Sequence, residues 1–402
     1  MYDVAVIGAG VTGSQVAARL AGMGHSVIVI EGKRSLTDPV CCTGIIGREC
    51  VTSFAIEEDI IQRWVKGARV FSPSGKMLRL WRPERQAAIV DRVSLNISMI
   101  GKAQGRGARY EVGTLIRDIE VSGNGVNIKA IRGDEPVNLE ARVAVIATGF
   151  SPGLTERLGL GRTGDFVTGV QAEVMLPELD NVEVYLGQDT APSFFAWTVP
   201  TSFGMGLVGL LSRRTPEVYL RKLLTSLAEQ GKIASADVEV LHGGISLKPL
   251  SKTYGERLLV VGTAAGQVKP ITGGGIYYGL LCANIAAEHL HNALVEDNLS
   301  AKSLAGYQRK WKKLLGSELR TGYWARRVFD RLGDNQIDRL FDVVESTGIL
   351  DALLKADDLS FDWHGGAVSR VIGYEVFRKV IGSVKLPARL NNRIPGREQP
   401  VE

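Results

Sequence analysis

The sequence predicts an α/β fold with α+β elements: a Rossmann-type nucleotide-binding domain, an inserted antiparallel-sheet domain and a C-terminal helical region. Three observations carry this. An apolar strand pattern runs straight into Gly8-Ala-Gly10-Val-Thr-Gly13, and two later apolar runs, Arg142–Ile146 and Arg257–Val261, also end in small-residue turns. Between them lies a stretch of short strand patterns, and after them amphipathic helical periodicity continues almost to the end. At 402 residues the chain is long for one domain. The expected division is 1–164 with 247–300 for nucleotide binding, 165–246 for the inserted sheet, 301–390 for the helices and 391–402 for a tail.

The β-branched density of Val4 to Ile7 reads as a buried parallel strand, Ser14 to Met23 as a helix, and Ser26 to Ile30 as a second strand ending in Glu31. Strand, glycines, helix, strand and acid in this order form the dinucleotide fingerprint. Gly8 makes the tight turn, Gly10 admits a pyrophosphate close to the backbone, and Gly13 lets helix and strand pack, with Val11 and Thr12 at the helix start. Glu31, flanked by Gly32 and Lys33, is positioned to accept hydrogen bonds from ribose hydroxyls. A second match, Gly159-Leu-Gly161-Arg-Thr-Gly164, has no strand before it and no clear helix after it, and reads as a loop.

Downstream, the strand ending at Ile146 closes on Ala147-Thr148-Gly149. The strand ending at Val261 enters Gly262-Thr263-Ala264, then Gly273-Gly274-Gly275-Ile276, and a helix follows over about Tyr277 to Leu294. Three successive glycines weaken packing and mark close backbone approach. Two glycine-rich helix entries are better explained by one extended cofactor, FAD, than by two separate nucleotides.

In these segments the chain resembles the geranylgeranyl reductase family of para-hydroxybenzoate-hydroxylase-type flavoproteins. The resemblance rests on Gly8 to Gly13 with Glu31, Asp91-Arg92, Ala147 to Gly149, Gly262 to Ile276, and Pro192-Ser-Phe194-Phe195-Ala-Trp197-Thr-Val199-Pro200. That last stretch is similar to the family's substrate-pocket signature, with Phe195 where the family has Tyr and Val199 where it has Phe. Thr263 stands where related flavoproteins carry Asp.

The resemblance implies an FAD-dependent oxidoreductase that transfers hydride from reduced flavin to C=C bonds of an isoprenoid or prenyl lipid. It implies a pocket of Phe194, Phe195, Trp197, Val199 and Pro200, with Phe195 and Trp197 at the reacting chain, and a cofactor role for Arg92. It also implies a redox-active cysteine region at Cys41-Cys42-Thr43-Gly44. No His, Asp or Glu stands in a recognisable proton-donor motif, so Cys42, or a water held near it, is the candidate proton donor. Read from the residues alone, the adjacent cysteines are equally small buried hydrophobes, and Arg92 equally an ion-pair partner of Asp91 or Glu84. The electron donor would be NAD(P)H or reduced ferredoxin. The alternatives are a flavin-dependent aromatic hydroxylase or halogenase and a flavin-binding electron-transfer protein.

Composition narrows the classes further. The four cysteines and five histidines lack metal-ligand spacing, so neither metal nor disulfide is expected. From Lys302 onward 18 basic residues against 13 acidic give +5, the whole formal net charge, spread over helices rather than gathered in a patch for nucleic acid. Four helices are expected there: near 307–315, 323–329, 337–344 and 369–384. Their basic amphipathic faces suit either a solvated cap or a membrane surface. With no 18-residue apolar run, and a strand pattern directly after Met1, the expectation is a cytoplasmic protein with peripheral membrane association.

Overall fold

The computed structural model describes residues 1–162, 164–355 and 360–363. Tyr2–Ile7 lies at the centre of a parallel array, flanked by Val27–Ile30 and by Glu135–Ile146, with Leu258–Val260 and Arg109–Glu111 outside them. Every residue of Val4 to Ile7 and of Val27 to Ile30 is buried, as a strand covered on both faces requires. One face packs the helices Val11–Gly22, Arg92–Gln104 and Ile276–Val295 through Val16, Leu20, Leu95, Met99, Leu280 and Leu290. The other is covered by antiparallel Thr114–Val121 and Val126–Arg132, which set Ile119 and Ile128 against Ala5, Ile7 and Ile28.

A seven-stranded sheet forms the second layer. Its order is Leu241–Ser246, Phe166–Met175, Met205–Ser212, Ala196–Pro200, Val182–Tyr185, Gly67–Phe71, Met77–Trp81. Alternation divides it: Val170, Ala172, Val208 and Leu210 face the helix Pro216–Glu229, while Val167, Trp197, Val199 and Leu211 pack with Val65, Ala87 and Ile89 of the antiparallel pair Ile61–Val65 and Ala87–Val90. The two strands at one edge come from residues 67–81, outside the 165–246 stretch expected to form this sheet. Composition carries no mark of that long-range pairing.

Two of the expected C-terminal helices are one, Ala301–Phe329. Gly322 does not break it, because a Cβ there would lie 3.2 Å from the Pro270 ring, so glycine serves close packing. The helix Asp334–Thr347 follows and buries Ile337 and Phe341 against Val70 and Leu78, and Ile349–Leu354 comes after it. The helix expected at 369–384 and the tail lie outside the described residues. No helix among the described residues is long and apolar enough to cross a membrane.

The long helix is tied to the second sheet by charge. Asp165 accepts hydrogen bonds from Arg213 and from the Tyr323 hydroxyl (2.8 Å), and Asp330 accepts from Arg213 (3.0 Å) and Arg326 (3.1 Å). Burial alone would raise the Asp165 carboxyl, but the bonds from Arg213 and Tyr323 hold it below the ordinary 3.8. Its contribution is therefore complete above the unfolded pKa and is lost as pH falls through the lower folded value. Asp165→Asn is expected to cost about 2 kcal/mol at pH 7. The gap from wild type should narrow toward pH 3, as read from urea midpoints at both pH values.

Candidate functional site

A cavity of about 1260 Å³ runs between the two layers. That exceeds the ~300–1,000 Å³ of ordinary small-ligand pockets. At one end it meets the first glycine turn. Gly8 has φ +110°, and a Cβ there would come within 2.5 Å of the Ala147 carbonyl oxygen; a Cβ on Gly13 would lie 2.0 Å from the Gly8 oxygen. Gly10 differs, since a Cβ there would meet nothing within 4 Å and would project into open space. The helix Val11–Gly22 has no side-chain cap, so its first N–H groups are left to an anion at this point. The Glu31 carboxylate accepts from the Ala9 N–H (2.8 Å) and the Lys33 N–H (2.9 Å), fixing it at the rim of the same cavity.

Farther along, the wall holds buried polar groups with no partner in the protein. Nε and Nη1 of Arg92, Oδ1 of Asn96 one turn later, Oγ1 of Thr148 and Oε1 of Gln171 are all of this kind, and all four residues line the cavity. Asp91 does not pair with Arg92; it caps the helix by accepting from the Ser94 N–H at 2.6 Å. An unsatisfied buried guanidinium is costly, and a phosphate or a polar ring edge would relieve it. The residues present thus fit a dinucleotide such as FAD on two independent grounds, the open Gly10 cradle and the unpartnered polar groups of Arg92, Asn96, Thr148 and Gln171.

The second glycine turn closes the far side. Gly262 and Gly273 have φ +68° and +77°, and the helix Ile276–Val295 again starts without a side-chain cap. Thr263 and Gly273 to Ile276 line the cavity. Thr12 and Thr263 pack closely here, with Thr12 Oγ1 2.9 Å from a Cβ built on Gly262 and Thr263 Oγ1 3.3 Å from one built on Gly275. The turn also wraps Lys269, whose Nζ lies 2.8 Å from Asp362 Oδ1 and donates to the Phe361 carbonyl (3.1 Å). Both side chains are almost fully buried, at 5% and 2% exposure, and both residues line the cavity. The segment 360–363 is held further by Tyr278, which donates to the Asp362 carbonyl, and by Trp363, which donates to Glu49.

An apolar stretch of the wall is formed by Phe195, Trp197 and Val199 with Val182, Val184 and Leu211. Two expected pocket residues are not part of it. Phe194 precedes the strand, which starts at Ala196, and is buried beneath the Arg326 guanidinium, 4.4 Å from the ring centre. Pro200 is buried at the far end of the strand. The Trp197 indole lies on Gly209, where a Cβ would be 2.6 Å from the ring, and its Nε1 has no partner.

Of the expected cofactor residues, Gly13, Gly44, Gly262 and Ala264 are absent from the lining; Gly13 packs in the helix Val11–Gly22 against Gly8, Gly44 and Gly262 adopt positive φ behind the wall, and Ala264 is core. Gly44 has φ +69°, and a Cβ there would lie 2.2 Å from the Val90 oxygen. Cys41, Cys42 and Thr43 line the cavity, and the Cys42 carbonyl accepts from Gln171 Nε2 (3.4 Å). Burial, and then the neighbouring Cys42, push the Cys41 thiol up to about 12, so Cys41 is not a thiolate at neutral pH. Sequence reading missed Asn96, Gln171, Lys269 and Asp362. Asn96 had a signal, being four residues beyond Arg92 on one helix face.

The family model described as lycopene cyclase protein matches residues 3–350. Digeranylgeranylglycerophospholipid reductase 2 of Methanothermobacter thermautotrophicus is 30% identical over 359 residues, 86% of this chain and 92% of that protein. Digeranylgeranylglycerophospholipid reductase of Methanocaldococcus jannaschii is 29% identical over 354 residues, 85% and 90% of the two chains. Among solved structures, a geranylgeranyl bacteriochlorophyll reductase-like protein from Thermoplasma acidophilum superposes with a TM-score of 0.83 at 22% identity, covering 95% of this chain and 98% of that one. The fold is that of FAD-binding flavoproteins. The 30% identity across most of both chains shows that the chain, which also matches the lycopene cyclase protein model over residues 3–350, belongs to the geranylgeranyl reductase family, alongside the digeranylgeranylglycerophospholipid reductases.

Proposed function

We propose that this protein is an FAD-dependent reductase of C=C bonds in the isoprenoid chains of a prenyl lipid. The observation that carries the reading is the continuity of one cavity, from the Gly10 cradle and Glu31 at one end to Phe195, Trp197 and Val199 at the other. When bound, FAD supplies the hydride for the alkene carbon. Glu31 and the open N–H groups after Gly10 would hold the adenosine and pyrophosphate, Arg92 and Asn96 the polar edge beyond, and the glycines 273–275 would let the ring lie close to backbone. The apolar wall orients the chain and excludes water, so that a single proton source beside the alkene decides the outcome. Replacement of the family's Tyr by Phe195 leaves that wall without a phenol.

Cys42 Sγ is the proton source in this reading, since Cys42 lines the cavity and Gln171 holds its backbone carbonyl. Cys42→Ala is expected to lower turnover about 100-fold while leaving flavin content unchanged. Full turnover in this variant would assign the proton to water. The electron donor is NAD(P)H or reduced ferredoxin, binding transiently. The segment Gly159 to Gly164, read as a loop, follows the short helix Pro152–Arg157 rather than a strand.

The deciding experiment is anaerobic. The flavin is reduced with dithionite, a geranylgeranylated lipid is added, and reoxidation is followed together with product mass. Reoxidation with a gain of two mass units per reduced bond establishes the reaction; a flavin that stays reduced removes it.

A further inference from the structure

The strand registers bring several exposed apolar side chains to one end of the seven-stranded sheet. Met175 pairs with Met205, Pro200 with Gly206, Val182 with Ala68, and Gly67 with Trp81, so these strand ends and the turn Thr201–Met205 form one rim. From Met175 to Trp81 the rim crosses five strand spacings, about 24 Å. Phe203 stands at its tip 98% exposed, Met175 is 62% exposed and Trp81 39%. Phe203 is held there at φ +55°, a left-handed conformation that a bulky residue seldom adopts. The turn is fixed by Thr201 N–H donating to the Met205 oxygen (2.9 Å) and Leu176 N–H to the Gly204 oxygen (2.8 Å).

Scattered exposed hydrophobes are ordinary, but these share one edge of a single sheet, and the Trp81 end of that edge meets the cavity. Lys66, Gly67, Leu80, Trp81 and Arg82 belong both to the rim and to the cavity wall. Around Trp81 the exposed charge is mainly basic: Lys66, Arg79 and Arg85 against Glu84, with the Arg79 guanidinium 5.3 Å from the Trp81 ring centre. Toward Met175 it turns acidic, with Glu178 and with Asp180 4.0 Å from Arg63. Tryptophan amid cations is the composition of a headgroup layer contact, and phenylalanine and methionine at a tip suit the acyl region beneath.

We infer that this rim is the surface by which the protein docks on a phospholipid bilayer, seating the cavity mouth beside Trp81 at the membrane so that a lipid chain enters without crossing water. The inference rests on the lipid-substrate reading and assigns it a place. It adds a sheet surface to the basic amphipathic faces of the C-terminal helices as a site of membrane contact.

The test is co-sedimentation of the purified full chain with vesicles of phosphatidylcholine and phosphatidylglycerol, at low and at moderate salt. Wild type is expected to pellet with the vesicles and to remain bound in moderate salt. A double variant, Met175→Ser with Phe203→Ser, neither residue lining the cavity, is expected to partition at least about tenfold less. Its turnover of detergent-dispersed substrate should be unchanged. Wild type remaining in the supernatant overturns the inference, as does a double variant that partitions like wild type. A wild-type dimer that the double variant dissociates also overturns it, since the rim would then join two copies. Vesicle binding without reoxidation of reduced flavin by substrate would uphold this surface while removing the reductase reading; turnover in detergent without vesicle binding would do the reverse.

Discussion

Gly10→Val is expected to yield a folded protein that purifies without flavin. The backbone at Gly10, φ −68° and ψ 175°, is extended and open to a β-branched residue, and a Cβ there touches nothing within 4 Å. Thermal stability without cofactor should therefore stay close to that of flavin-stripped wild type. The added methyl groups occupy the space into which the uncapped helix start directs its N–H groups, so affinity should fall on the order of 100-fold, about 2.8 kcal/mol. Flavin absorbance per protein and a titration with FAD measure this. Gly13→Ala serves as the contrast: its Cβ would lie 2.0 Å from the Gly8 oxygen, so it is expected to lose fold and flavin together. A Gly10→Val protein that keeps its full flavin content would place the cofactor somewhere other than this cradle.

These glycines were legible in the sequence because each does something local. Gly8 and Gly273 satisfy positive φ, Gly13 allows helix and strand to approach, and Glu31 ends the strand beside the first turn. The continuous apolar runs Val4–Ile7 and Val27–Ile30 likewise state their own burial on both faces. What the sequence did not disclose depends on pairing over long separations. The edge strands Gly67–Phe71 and Met77–Trp81 join a sheet whose other members begin at Phe166, and nothing in their pattern names that partner. Phe194 and Phe195 looked equivalent as neighbours in one aromatic stretch, yet one packs under Arg326 and the other faces the cavity, because the strand starts only at Ala196. Asp362 meets Lys269 across 93 residues, and a lone lysine between Val268 and Pro270 was the single hint that a charge would have to be met there.

That buried pair supports the other large effect. Lys269→Met removes the partner of a carboxylate that is 2% exposed, leaving Asp362 charged and uncompensated beside Tyr278 and Cys50, and the expected loss is about 3–5 kcal/mol in denaturant unfolding. Replacing both members, Lys269→Met with Asp362→Leu, removes the desolvation cost along with the attraction, so most of that stability should return. An apolar pair would then serve the fold nearly as well as the ionic one, and stability alone would not account for a charge held in this wall. Both residues line the cavity beside Thr272 to Gly275, the turn assigned to the flavin ring. The double variant is therefore expected to unfold near the wild-type denaturant concentration, yet to turn over substrate at least about tenfold more slowly, with an altered flavin spectrum or reduction potential. Recovered stability together with unchanged turnover and spectrum would make the pair a structural latch for residues 360–363. A double variant no more stable than Lys269→Met would show that hydrogen bonds from Lys269 to Asp362 and the Phe361 carbonyl, rather than burial, hold this wall in place.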